Sequence, residues 1–203
     1  MKVLVMAVII FDVGNVIIKC DQAISEKILA GYGVSHHAAK AIFTDPLYRE
    51  YSRGSISSHE FSSKMISQHF KKPLTENQVR HAHDQHMFAV DKEVLALMEK
   101  LSINHRIAIA TDTNDWQTAR ERQLIDLSKF AAWEFRSHEM HLLKTEKAYW
   151  LRVMHDLGEK PANIFYIDDS SEKLKVAEKF GIRCIHFENP AELARSLRHN
   201  SLI

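Results

Sequence analysis

The sequence predicts an α/β protein: a parallel sheet flanked by helices, interrupted by an all-helical insert. Three observations carry that prediction. Short apolar runs rich in β-branched residues alternate with helical patterns after residue 91. An earlier apolar run stops at a carboxylate, Asp12, and between these two regions the signals are helical only. The resulting organisation is a Rossmann-like core of residues 1–18 and 91–203 and a helical insert of residues 19–90.

The run from Val3 to Phe11 is too short to cross a bilayer and reads as a buried strand. In the insert, Ser57-x-x-Glu60 and Thr75-x-x-Gln78 are capping boxes that announce helices, and Phe61, Met65 and Ile66 recur at helical spacing. Gly31, Gly33, Asp45-Pro46, Gly54 and Pro73 divide the insert into four or five helices, with no strand expected between Ile18 and residue 90. Val94, Leu95, Leu97, Met98 and Leu101 then form one helical apolar face. Ile107–Ala110 is a buried strand that ends at Thr111-Asp112-Thr113-Asn114, small polar residues suited to start the next helix. A weaker strand covers 131–135. Lys144 opens a helix that Gly158 and Pro161 close, Ile164–Ile167 is a strand ending at Asp168-Asp169, and a helix from Ser170 to Phe180 ends at Gly181. A last strand, 182–187, precedes an amphipathic helix from Pro190 to Arg198.

Composition narrows the function classes. The chain has 203 residues, enough for a sizeable core, and its 27 Lys plus Arg nearly cancel 26 Asp plus Glu. That balance argues against neutralising nucleic-acid phosphate or an anionic membrane, while leaving room for a small anionic ligand. Cys20 and Cys184 stand far apart with no metal-type spacing, and neither a cleavable leader nor a membrane span is readable. A reducing, cytoplasmic setting is the expectation.

Three expected strands end in polar groups: Asp12, Thr111, and Asp168 with Asp169. In a parallel sheet these ends share one edge, where ligands of open α/β sheets bind. Carboxylates grouped so closely call for a hard cation such as Mg²⁺, which takes oxygen ligands, and Lys144 adds a compensating charge. A carboxylate, a hydroxyl, a lysine and Mg²⁺ make a phosphoryl site in which Asp12 can attack phosphorus.

At these residues the sequence resembles the haloacid dehalogenase-like hydrolase superfamily. The resemblance implies that Asp12 is the nucleophile, that the Gly14 carbonyl and the pair Asp168-Asp169 bind Mg²⁺ with Asp12, and that Thr111, Asp112 and Lys144 bind phosphate. It also implies that residues 19–90 are a mobile cap. Phe11-Asp-Val-Gly-Asn-Val16, Thr111-Asp-Thr-Asn114 and Arg53-Gly-Ser-Ile-Ser57 look like the branch with glucose-1-phosphate phosphatases and the phosphatase-like domain of epoxide hydrolases. The implied activity is hydrolysis of a small phosphorylated metabolite through an aspartyl phosphate. Three positions depart from the pattern: Gly14 replaces the usual second acid, Asp112 stands where Asn is common, and Thr145 where Pro is common. Alternatives are a metal-independent 2-haloacid dehalogenase and a binding or regulatory protein that has lost turnover.

Among the 13 histidines, His81-x-His83-x-x-His86 and His138-x-x-His141 lack zinc-protease spacing and read as solvated residues of the insert and loops. Asp21 could substitute for the missing acid or cap a helix, and Arg49, Tyr51 and Arg53 could face substrate or solvent.

Overall fold

In a computed structural model of the chain, residues 6–203 are described. The part of the expected first strand at Val3–Val5, and Lys2, lie outside them. The strands are β1 (Val8–Phe11), β2 (Ile18–Cys20), β3 (Met87–Val90), β4 (Arg106–Thr111), β5 (Trp133–Arg136), β6 (Ile164–Asp168) and β7 (Arg183–His186). Five of them form an all-parallel sheet in the order β5-β4-β1-β6-β7. In the central row Ile10 pairs with Ala108 on one side and Tyr166 on the other.

Alternation along the strands loads both faces of the sheet. Ile9, Phe11, Ile107, Ile109, Phe165 and Ile167 face one layer; Val8, Ile10, Ala108, Ala110, Ile164 and Tyr166 face the other. The first layer packs on α6 (Lys92–Ser102) through Val94, Met98 and Leu101, and on α11 (Pro190–His199) through Leu193 and Leu197. The second packs on α9 (Lys147–Leu157) through Tyr149, Trp150 and Val153, and on α10 (Ser171–Glu178) through Leu174 and Ala177. A sheet covered on both faces needs continuous apolar strands, which is why these runs were readable in the sequence. No helix among the described residues is long and apolar enough to cross a membrane.

Between β2 and β3 lie α1 (Gln22–Gly31), α2 (His36–Thr44), α3 (Pro46–Ser52), α4 (Ser58–Met65) and α5 (Glu76–Asp84). They share a hydrophobic cluster built on Leu29, Ile42, Tyr51, Phe61, Met65 and Val79. Thr75 and Gln78 complete the expected capping box at α5. At α4 only half of the expected box forms: the Ser57 hydroxyl accepts from the Glu60 amide, while the Glu60 carboxylate pairs with Lys64.

Several expectations need correction. β2 and β3 pair antiparallel, Ile18 with Val90 and Lys19 with Ala89, where no strand was expected. Runs this short hold strand conformation through a partner some seventy positions away in sequence, so no local pattern announces them. Lys144 does not open a helix but sits in the turn before α9, whose N-cap is Glu146. A π-turn at Ile66–Phe70 and the short α8 (Ser137–Met140) were also not expected. The remaining helix of the core, α7 (Asp115–Leu124), starts where Asn114 accepts from the Gln117 amide.

The insert meets the core at residues 51–54, and also where Gln117 contacts His86 and Arg120 donates to the Met87 carbonyl. Trp116 of α7 joins the insert's own hydrophobic cluster, and its amide donates to the Tyr51 hydroxyl at 3.3 Å. The Ser137 hydroxyl donates to the Ser52 carbonyl at 2.6 Å. Arg53 Nη1 reaches Glu146 Oε2 at 2.9 Å. Gly54 has φ +72°, and a Cβ there would lie 2.3 Å from the His138 carbonyl oxygen. Gly54→Ala is therefore expected to destabilise the protein by more than the ~1–2 kcal/mol that the left-handed backbone alone costs. Urea denaturation checks this, and wild-type stability in the variant would contradict the tight approach.

Candidate active site

Asp12 is the first residue beyond β1, and its amide extends the ladder by donating to the Ile167 carbonyl at 2.9 Å. The chain then reverses: the amides of Ile17 and Ile18 both donate to the Val13 carbonyl, with Asn15 in the left-handed region at φ 56°. Thr111 ends β4 and Asp168 ends β6 on either side of β1. The parallel order thus gathers the three polar strand ends.

Lys144 is fully buried among them. Its ammonium donates to Asp12 Oδ1 at 2.7 Å, Asp168 Oδ2 at 2.8 Å and the Ala110 carbonyl at 3.1 Å. Its backbone is held as well, the amide donating to Asp112 Oδ1 at 2.9 Å and the carbonyl accepting from Trp150 Nε1 at 2.8 Å. Asp168 accepts further from the Tyr166 hydroxyl and, at 2.7 Å, from the Ser170 amide. The two acids beside Lys144 respond differently. Burial, opposed by Lys144 and reinforced by Asp168, raises the Asp12 carboxyl above its ordinary value. Burial also acts to raise Asp168, but Lys144, Lys173 and the hydrogen bonds from Lys144 and Tyr166 outweigh it and hold that carboxyl low.

Carboxylate oxygens of Asp12, Asp168 and Asp169 lie within 4.8 Å of one another. An all-oxygen cluster this tight fits a hard divalent cation. Within it Asp168 is committed to Lys144, Tyr166 and Ser170, whereas Asp12 and Asp169 line the cavity, as does Gly14. That cavity holds about 530 Å³. Thr111, Asp112 and Lys173 complete its floor, and the insert contributes Gln22, Tyr48, Arg49 and Ser52 to its wall.

Lys173, on the first turn of α10, was missed by sequence reasoning. Its Nζ stands 3.7 Å from Asp112 Oδ2. Burial works against its charge, but Asp12, Asp112, Asp168 and Asp169 together raise its pKa above the ordinary lysine value. Its sequence signal was its place one helical turn beyond Asp169, but the partner that identifies it, Asp112, comes from the loop after β4.

The other candidates separate cleanly. Arg49 lies on the cavity wall, whereas Tyr51 stacks on Phe61 and Arg53 binds Glu146, so neither of these two faces the cavity. Asp21 is exposed and caps α1 by accepting from the Ala23 amide at 2.9 Å. Cys20 is half-buried on the wall, and Cys184 is half-buried near Leu174.

The expectation of solvated histidines fails for His83 and His86. His83, on the inward face of α5, is buried among Phe43, Tyr48 and Trp116, and His86, in the turn after α5, is buried against Phe43 and His83. Burial lowers the pKa of each, to about 3 for His86. Below pH ~6.5 the unfolded chain therefore binds protons that the folded chain refuses. Their contribution to stability is complete above that pH and falls as pH drops toward the folded values, by up to about 1.4 kcal/mol per histidine per pH unit. Denaturation at pH 7.5 and 5.5 should show lower stability at 5.5, and a flat profile would contradict neutral burial.

Comparison with known proteins adds to this geometry. The family described as haloacid dehalogenase-like hydrolase matches residues 9–187. Flavin mononucleotide hydrolase 1, a chloroplast protein of Arabidopsis thaliana, is 32% identical over 82 residues. That match covers 40% of this chain and about a third (33%) of the relative's length. A haloacid dehalogenase-family enzyme of Bacteroides thetaiotaomicron, solved with magnesium and inorganic phosphate, superposes with a TM-score of 0.82 at 22% identity, covering 90% of this chain and 94% of that one. A predicted hydrolase of the same family from Porphyromonas gingivalis gives a TM-score of 0.81 at 25% identity, covering 95% and 98%.

Proposed function

The chain belongs to the haloacid dehalogenase-like hydrolase family, and from that premise we propose that it is a Mg²⁺-dependent phosphatase of a small phosphorylated metabolite. The observation that carries this reading is Lys144 bridging Asp12 and Asp168 behind a cavity, far larger than a phosphate group, that Asp12 and Asp169 line. A divalent cation held by Asp12, Asp169 and the Gly14 carbonyl would supply positive charge to the phosphoryl oxygens. Relatives with magnesium and phosphate bound, and one that hydrolyses flavin mononucleotide, support the same chemistry.

A carboxylate oxygen of Asp12 attacks phosphorus as the bond to the leaving oxygen breaks, and water then cleaves the aspartyl phosphate to release inorganic phosphate. Lys144 keeps Asp12 ionised and fixes its rotamer, while the Thr111 hydroxyl binds a phosphoryl oxygen. The helical insert acts as a cap that excludes water and presents Gln22, Tyr48 and Arg49 to the rest of the substrate. Asp12→Asn is expected to abolish phosphate release from a panel of sugar, nucleotide and acyl phosphates, and chelation with EDTA to do so reversibly. Full activity in either case would remove this reading, and halide release from a 2-haloacid without metal would replace it.

Gly14 leaves the leaving group without the usual acid, so sugar 1-phosphates and acyl phosphates, which leave readily, fit best. General acid catalysis is worth about 10²–10⁴ in rate. A Cβ at Gly14 would meet only Cys20 Sγ, at 3.8 Å, so the backbone accepts a side chain there. Gly14→Asp should raise kcat on alkyl phosphates by about 10²-fold. An unchanged rate would mean that another group already supplies the proton.

A further inference from the structure

We infer that Lys173, held by Asp112, is a further cation that hydrogen-bonds the phosphoryl oxygens of the substrate from the cavity side. This inference rests on the reading of the site as a phosphoryl site. An ammonium carries three N–H groups. Those of Lys144 already face three acceptors within 3.1 Å, namely Asp12, Asp168 and the Ala110 carbonyl, all buried. Lys144 also lies outside the lining of the cavity.

Lys173 is placed in the opposite way. It lines the cavity with Asp12 and Thr111, and the contact of its ammonium with Asp112 Oδ2, at 3.7 Å, is an ion pair too long to be a hydrogen bond. No hydrogen bond to another described residue claims its N–H groups. A lysine in the first turn of a helix opposes the helix dipole, which favours anions there. The four aspartates offset that opposition and keep the side chain charged although 77% of it is shielded from solvent (relative exposure 23%). Asp112 likewise has two duties: Oδ1 fixes the Lys144 turn, and Oδ2 orients Lys173. A lone carboxylate beside Thr111 would repel a phosphate dianion, and the Lys173 charge cancels that repulsion.

The test is calorimetric binding of inorganic phosphate, with and without Mg²⁺, to the wild-type protein and to Lys173→Met, Lys173→Arg, Asp112→Asn and the double variant Asp112→Asn/Lys173→Met. Loss of a charged hydrogen bond predicts that Lys173→Met weakens phosphate binding about tenfold or more in both conditions, with thermal stability retained, and that Lys173→Arg restores most of it. Asp112→Asn should bind phosphate at least as well as wild type, and the double variant should recover only part of the loss. Phosphate binding by Lys173→Met equal to wild type, or full recovery in the double variant, would overturn the assignment, the latter because Lys173 would then merely neutralise Asp112. A wild-type protein that binds no phosphate overturns the assignment together with the site reading. Phosphate binding without turnover on any substrate removes the phosphatase reading and leaves Lys173 in its role.

Discussion

The buried ammonium of Lys144 is the interaction on which the site depends. An isolated charge in the interior is strongly disfavoured, so Lys144 is tolerable only where acceptors from three strands converge: Asp12 after β1, Asp168 at the end of β6 and the Ala110 carbonyl in β4. That convergence requires β1 to lie between β4 and β6 in parallel register. The carboxylates in turn are screened by Lys144, with Lys173 adding to it. Sheet order and site charge are therefore one constraint, and a change in either would leave an uncompensated charge in the core.

Around this centre the charges are divided by position. Lys144 and Asp168 form the rear of the site, saturated with hydrogen bonds, while Asp12, Asp169 and Lys173 face the cavity and retain bonding capacity. Asp112 links the two groups, because one of its oxygens fixes the Lys144 turn and the other faces Lys173. Its carboxylate, which looks unfavourable in a phosphate loop when only sequence is considered, acquires a counter-charge in three dimensions. Segment 51–54 is one of the places where the helical insert is held onto the core. Gly54 lies against the His138 carbonyl, Arg53 binds Glu146, and Trp116 projects from α7 into the insert's hydrophobic cluster. Ser137 ties this joint to the loop after β4, since its hydroxyl contacts the Ser52 carbonyl and both backbone groups of Thr113.

Much of the architecture was legible before any coordinates because parallel strands covered on both faces must be apolar throughout. The runs at Ile9–Phe11, Ile107–Ala110 and Ile164–Ile167 carry that mark, and each stops at a polar residue. Capping chemistry was equally legible at Thr75 and Asn114, where the signal lies within four residues of chain. β2 and β3 were not, because their conformation is stabilised by a partner across the whole insert. His83 and His86 were misjudged for a related reason: a polar side chain on a helix or in the turn after it reads as solvated until the neighbouring elements show which side is inward.

The sequence by itself determined the α/β class, the helical insert and the residue types gathered at the strand ends, since those follow from periodicity, capping and composition, all local along the chain. Only the tertiary structure decided how the charges are paired. It turned Arg53 away from the cavity onto Glu146, committed Asp168 to Lys144, and set Lys173 opposite Asp112. These pairings join residues far apart in the chain, and Coulomb energy depends on distances of a few ångströms that sequence separation does not encode.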